Sequence, residues 1–268
     1  MLSNALLMKF LHMRVSALLL NGIFIGSILL SKCIYATDLT IVTEHLAPFQ
    51  IVDKDKITGI STEIVKKTLD EAKFNYKIEA LPWALSFNLA KREKNTCIYS
   101  IGRIPIREPL FNWIGHIISA STSFYSLASK QLKISSLEDT KNYKTAVIRE
   151  DVAHHFLLSQ GFVEGDNLYV MDNYDALLEL LEKANRNIDL VVLNDELIFH
   201  RVKSTQAATK YKKVYNLKEL TLDFHLACSL NTEQNIVDKL QNTMRKLERN
   251  GTFSSIRKKY SSNLANLL

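Results

Sequence analysis

The spacing of apolar positions along this chain switches repeatedly between a period of two and a period near 3.6, which predicts strands and helices in alternation. Leu39-Thr40-Ile41-Val42 reads as a strand. Ser61 then stands as an N-cap ahead of an amphipathic helix with Ile64, Val65, Thr68, Leu69 and Ala72 on one face. Tyr76 to Ala80 is a predicted strand, Trp83 to Lys94 a helix, and Cys97 to Ile101 a strand. A second series follows: strands at Phe124 to Ser129 and Lys144 to Ile148, a helix from Asp151 to Gln160, a strand at Leu168 to Met171, a helix from Tyr174 to Ala184, and a strand at Ile188 to Leu193. Leu190-Val191-Val192-Leu193 is an unbroken apolar run, as a strand covered on both faces requires. Last come a strand at Phe224 to Cys228 and a long helix with Ile236, Val237, Leu240, Met244 and Leu247 on its apolar stripe, stopped by Gly251. Strands alternating with helices of this length imply α/β architecture with mostly parallel sheets, and two such series imply two lobes.

The stretch before residue 37 breaks this pattern. Lys9 and Arg14 precede an apolar run from Val15 to Leu30, followed by Ser31-Lys32-Cys33-Ile34-Tyr35-Ala36. A run of about 16 residues is short for a bilayer core of roughly 30 Å, and the small Ala36 suits a cleavage site. We expect residues 1–36 to be a signal peptide, with an uncleaved anchor as the alternative and a lipoprotein disfavoured by Lys32 before Cys33. The remaining 232 of 268 residues suffice for one large domain or two lobes. Losing Lys9, Arg14 and Lys32 lowers the formal charge from +6 to +3, with 31 basic against 28 acidic residues. The charges are interspersed, which describes solvated faces and gives no nucleic-acid footprint.

Cys97 and Cys228 remain after cleavage, each in a strand-like run, as one disulfide or two buried thiols. All four prolines, Pro48, Pro82, Pro105 and Pro109, lie beside predicted strand ends in the first series. Proline stiffens such loops, and in open α/β sheets the loops at the carboxyl ends of strands hold ligands. Other chemistry finds little support. His154 and His155 are adjacent and so point apart, a poor pair for zinc. The sequence has no Gly-rich phosphate loop and no Gly-x-Ser-x-Gly elbow, and its eight glycines give scant material for a nucleotide cradle. No metal or cofactor is expected.

Four segments resemble the bacterial extracellular solute-binding proteins of family 3, the polar amino-acid-binding class of ABC-transporter receptors. They are Leu39 to Phe49, which carries Ala47-Pro48-Phe49; Ile57-Thr58-Gly59-Ile60-Ser61-Thr62-Glu63-Ile64; Ile104-Pro105-Ile106-Arg107-Glu108 with Phe111 and Trp113; and Gly251 to Tyr260 with its Lys258-Lys259-Tyr260 ending. Each motif is weak alone, but their order, spacing and leader combine, and the likeness spans nearly all of residues 37–262. The resemblance implies a type II periplasmic binding protein-like fold whose two lobes are joined by a two-strand hinge. Lobe 1 would be 37–120 and 222–268, and lobe 2 would be 121–221. Both cysteines then fall in lobe 1, which keeps the disulfide open. A ligand would sit in the cleft, with closure about the hinge.

By that resemblance Arg107 matches the carboxylate-clamping arginine, whose planar fork meets a carboxylate with two charge-assisted bonds. Tyr99, Ser100 and Gly102 line up with a segment offering hydroxyl or backbone contacts, Gly102 standing where some relatives carry serine. Trp83 is a stacking wall or a core residue, and Glu44 an acceptor for an ammonium or an exposed glutamate. Leu46 replaces an aromatic lid. From lobe 2, Arg149, Glu150 and Asp151 match a carboxylate-binding turn, and Asp151 also reads as an N-cap. Asn194 stands where the family commonly carries an aspartate for the α-amino group. The implied function is non-catalytic: a monomeric periplasmic protein that captures an amino acid or similar small carboxylated solute for an ABC permease of the inner membrane. The alternatives are a dehydratase-like enzyme on the same scaffold acting on a prephenate-type acid, for which Glu44, His45 and Asp195 are conceivable, and a stand-alone sensory module.

Overall fold

The computed structural model describes residues 39–183, 187–205, 210–220 and 222–265, with side chains described except at 202–205 and 261–265. The expected signal peptide, 1–36, lies outside the described residues. Asp38–Leu268 is one compact unit containing two five-stranded sheets.

The first sheet is built from β1 (Leu39–Thr43), β4 (Tyr76–Ala80), β5 (Thr96–Gly102), β6 (Phe111–Ala120) and β12 (Leu222–Ser229), in the order β4-β1-β5-β12-β6. β1 is parallel to β4 and β5, whereas β12 is antiparallel to β5 and β6. Four strands therefore point one way and β12 the other. The second sheet repeats this arrangement with β7 (Thr122–Leu127), β8 (Thr145–Ile148), β9 (Leu168–Met171), β10 (Leu190–Asn194) and β11 (Tyr211–Asn216), in the order β11-β7-β10-β8-β9. Here β7 is the reversed strand. The chain passes from the first sheet to the second between β6 and β7 and returns between β11 and β12, so the reversed strand of each sheet adjoins a crossing. This is the mixed α/β, two-lobed architecture that the alternating pattern predicts.

Helices α1 (Ile60–Glu71), α7 (Gln234–Arg249) and α8 (Thr252–Ala265) pack together beside the first sheet, and α2 (Trp83–Arg92) packs on β5 and β1. Helices α4 (Val152–Ser159), α5 (Tyr174–Glu182) and α6 (Asp195–Thr205) pack on the second sheet, while the short α3 (Leu137–Thr140) is closed by a capping box at Ser136. Cys97 and Cys228, paired across β5 and β12, form a disulfide, which decides between the two alternatives left by the sequence.

Several local expectations change. Ser61 does not cap α1; Gly59 does, and Ser61 sits buried in the first turn with its hydroxyl unpartnered. The reason is a close approach of backbone. A Cβ on Gly59 would lie 2.4 Å from the Phe49 carbonyl, and its φ of 109° favours glycine. β6 escaped the alternating pattern because its fully buried residues, Phe111, Ile114, Ile117 and Ala120, recur every third position. Two register shifts against β12 cause this, since a bulge resets which face a side chain takes. β11, also bulged, and the hairpin of β2 (Ile51–Asp53) with β3 (Lys56–Thr58) were likewise not predicted.

Candidate functional site

The carboxyl ends of the parallel strands gather the polar side chains. Glu44 and His45 follow β1, Pro82 and Trp83 follow β4, Gly102 and Arg107 follow β5, Glu150 and Asp151 follow β8, and Asp172 to Asp175 follow β9. Loops from both sheets meet around a cavity of about 320 Å³ whose walls include Glu44, Leu81 and Trp83 on one side and Asp172, Tyr174 and Asp175 on the other. A second cavity of about 220 Å³ adjoins it and shares His45, Tyr174 and Asp175.

Arg107 lies between the two sheets. It occupies a 3₁₀ turn, Pro105–Leu110, and is 1% exposed. Its Nη1 donates to the Gly102 carbonyl at 3.1 Å and its Nη2 to the Glu150 carbonyl at 2.5 Å, while Nε is buried without a partner. The guanidinium carbon sits 5.4 Å from the ring centroids of both Trp83 and Phe87. Trp83 Nε1 donates to the same Glu150 carbonyl at 3.2 Å. One carbonyl of the second sheet thus accepts two donors from the first, and Glu150 presents it from a left-handed conformation, φ 59°. Non-glycine residues hold that conformation at a cost of order 1–3 kcal/mol, so the surrounding contacts must enforce it.

Three carboxyl groups and the Tyr174 phenol surround this guanidinium. Burial raises the Arg107 proton's leaving tendency, lowering its pKa, against the opposing charges of Asp151, Glu150, Tyr174 and Glu44. Burial also holds the Glu44 carboxyl well above its ordinary range, and Asp151 pushes it further up while Arg107 pulls it down. Tyr174 donates to Asp151 Oδ2 at 3.1 Å, and burial raises its phenol in turn. Asp151 Oδ1 accepts from the Val152 amide at 2.6 Å, so the expected N-cap and the contact with the charge cluster are one side chain's two roles. Glu44 and Trp83 line the larger cavity, while Arg107 is not among its walls and lies buried against the Trp83 ring. A cation and a carboxyl group, the two ends a zwitterion needs, thus flank one aromatic side chain.

The remaining sequence-predicted residues divide. Trp83 lines the cavity and covers Arg107. Gly102 is packed so tightly that a Cβ would lie 2.6 Å from Val152 Cγ2 and 2.8 Å from Leu222 Cδ2. Ser100 is the extra residue where the pairing of β5 with β12 shifts, at φ 57°, and its hydroxyl donates to Gln50 Oε1 at 2.8 Å rather than to the cavity. That bulge also turns Ile101 to the same face as Ile98, away from Cys97 and Tyr99. Tyr99 is fully buried with its hydroxyl 2.9 Å from Thr62 Oγ1 in the core beside α1. Arg149 points outward to Asp172 Oδ1 at 3.0 Å, with half its side chain exposed. Asn194 is buried at the end of β10 and is not among the cavity walls; its neighbour Asp195 accepts from Tyr125 and Lys213. His154 and His155 have separate partners, Glu164 and Glu150. Sequence reasoning missed Tyr174 and Asp172 to Asp175. Their signal was the position of Asn173, the N-cap of α5, two residues past the end of β9.

Two sheets joined by two crossings, with charged loops converging between them, give a periplasmic-binding-protein-like fold. The sequence matches the model of the bacterial extracellular solute-binding proteins, family 3, over residues 39–263, and the chain belongs to that family. A comparison with curated proteins returns no match. Among solved structures, the chain is similar to a histidine kinase sensor domain with similarity to periplasmic binding proteins, at TM-score 0.74 and 16% identity over 83% of this chain and 95% of that one. It is similar to the arginine-, lysine-, histidine-binding protein ArtJ from Geobacillus stearothermophilus, at TM-score 0.72 and 16% identity, covering 83% and 94%. It also resembles an ancestral arginine-binding protein bound to glutamine, at TM-score 0.70 and 16% identity, covering 83% and 96%. These likenesses concern the fold.

Proposed function

We propose that the protein is a non-catalytic periplasmic receptor, exported through residues 1–36, that captures an amino acid or similar small carboxylated solute for an ABC importer. Its lobes are 37–120 with 222–268, and 121–221; they close on the guest about the two crossings. Arg107 clamps the carboxylate by exchanging the Glu150 carbonyl for it, Glu44 receives the ammonium, and Trp83 forms the wall. The backbone at Gly102 and the N-terminus of α4 at Asp151 flank the head, while Tyr99, Ser100, Arg149 and Asn194 shape the surroundings from outside it. The observation that carries this reading is the buried Arg107, held by carbonyls of both sheets beside a cavity walled by both.

Thermal-shift screening against amino acids and organic acids, followed by calorimetry on the hits, tests it. At least one amino acid is expected to raise Tm and to bind wild type but not Arg107→Ala. A panel that raises Tm nowhere, or a hit bound equally by the variant, overturns it. The protonation-prone Glu44 on the cavity wall is the feature that favours an enzymatic alternative; turnover of prephenate by the purified protein would establish that instead. A sensory role is distinguished by whether the liganded protein associates with an ABC permease.

A further inference from the structure

The cleft contains more room than one amino acid needs. An apolar cavity of 150 Å³ accommodates benzene, so about 25 Å³ serves each heavy atom. On that scale the 320 Å³ cavity holds about 13 heavy atoms and the adjoining 220 Å³ cavity about nine more. Most free amino acids have roughly five to thirteen such atoms and fit the first cavity alone.

The two cavities also differ in chemistry. The larger one has Glu44 and Trp83, with Arg107 stacked behind the indole. The smaller one has an apolar floor of Ala47, Leu178 and Leu197, all buried, under a rim that includes His200 and the Arg201–Asp175 ion pair at 3.0 Å. Tyr174 and His45 belong to both walls, so a guest can run from one cavity into the other past these two rings. The rim charges already have partners, which leaves the floor as the feature that rewards a guest, by burying apolar surface.

We infer that the smaller cavity is a second subsite and that the ligand is a short peptide, a dipeptide in its simplest form. Its charged groups lie between Arg107 and Glu44, and an apolar side chain of one residue rests on Ala47, Leu178 and Leu197. This rests on the amino-acid reading of the first cavity and adds length and an apolar arm to it. Burial of one leucine-sized side chain corresponds to roughly ten- to a hundred-fold in affinity.

Calorimetry on the purified protein with free lysine, free leucine, Gly-Leu and Lys-Leu tests the inference without any variant. A leucine-containing dipeptide is expected to bind at least tenfold more tightly than either free amino acid. Leu197→Trp, which fills the smaller cavity, is expected to remove that gain while leaving free amino-acid binding within about twofold; circular dichroism checks that the variant folds, and Leu178→Phe fills the same space from a different helix. Amino acids that bind as tightly as the dipeptides, or fillings that weaken both classes equally, overturn the second subsite and leave the amino-acid reading standing. Binding of neither class overturns both.

Discussion

Gly102→Ala is the sharpest probe of how the two sheets meet. Gly102 ends β5, and the added methyl would lie 2.6 Å from Val152 Cγ2 and 2.8 Å from Leu222 Cδ2. Ordinary carbon contacts are about 3.5–4.0 Å, so the overlap is roughly 1 Å on two sides. Leu222 can swing its distal methyl away. Val152 is β-branched and opens helix α4, so its rotamer is stiff and its backbone is fixed by the Asp151 cap. The cheapest relief is then a small separation of the halves, because Val152 belongs to the second sheet's side and Gly102 to the first. Overpacking of this size costs about 1–3 kcal/mol. If the guest binds only the closed arrangement, that cost falls on affinity, as a loss of roughly five- to 150-fold. Calorimetry with a ligand identified by screening measures the loss, and small-angle scattering of the unliganded variant should show a larger radius of gyration. Affinity within twofold of wild type together with unchanged scattering would refute the argument that this contact governs closure.

The other predictions concern a crosslink and a proton. Cutting the bond between Cys97 and Cys228, which are 131 residues apart, frees a long loop in the unfolded chain and should cost roughly 2–5 kcal/mol. Urea denaturation with and without reductant, and of Cys97→Ala/Cys228→Ala, should show the midpoint falling; an unchanged midpoint contradicts this. Glu44 has its pKa raised in the folded protein, by burial first and Asp151 second. The native state therefore keeps a proton that the unfolded state releases from about pH 4.5 upward, and this group's contribution to stability declines as pH rises through that range until Glu44 ionises in the fold as well. Glu44→Gln should remove the decline, gaining on wild type as pH rises above 4.5 in thermal unfolding; parallel profiles for the two proteins would refute it.

Much of the fold could be read from the chain because most strands here obey simple periods. The apolar run of β10 announces itself, and the stripe Ile236, Val237, Leu240, Met244 and Leu247 marks α7. What escaped was governed by contacts between distant segments. The burial of every third residue in β6 results from bulges that exist only against β12, and the cap of α1 passes to Gly59 because Phe49 comes close. The site divides the same way. Arg107, Trp83 and Glu44 could be named from the sequence; Glu44 and Trp83 line one cavity, and Arg107 lies against Trp83 without being one of its walls. Ser100 could not be placed, since one inserted residue turns its side chain toward Gln50. Tyr174 and Asp172 to Asp175 were silent because a turn after an edge strand acquires meaning only when the opposite sheet supplies the other wall.

The central claim is that Arg107 trades a backbone carbonyl for a guest's carboxylate. A crystal structure of the protein with a ligand found by the screen measures this directly. The account predicts the ligand's carboxylate within hydrogen-bond distance of the Arg107 guanidinium, and the contact from Nη2 to the Glu150 carbonyl broken. A guest bound elsewhere, with Arg107 still holding both Gly102 and Glu150, would contradict it.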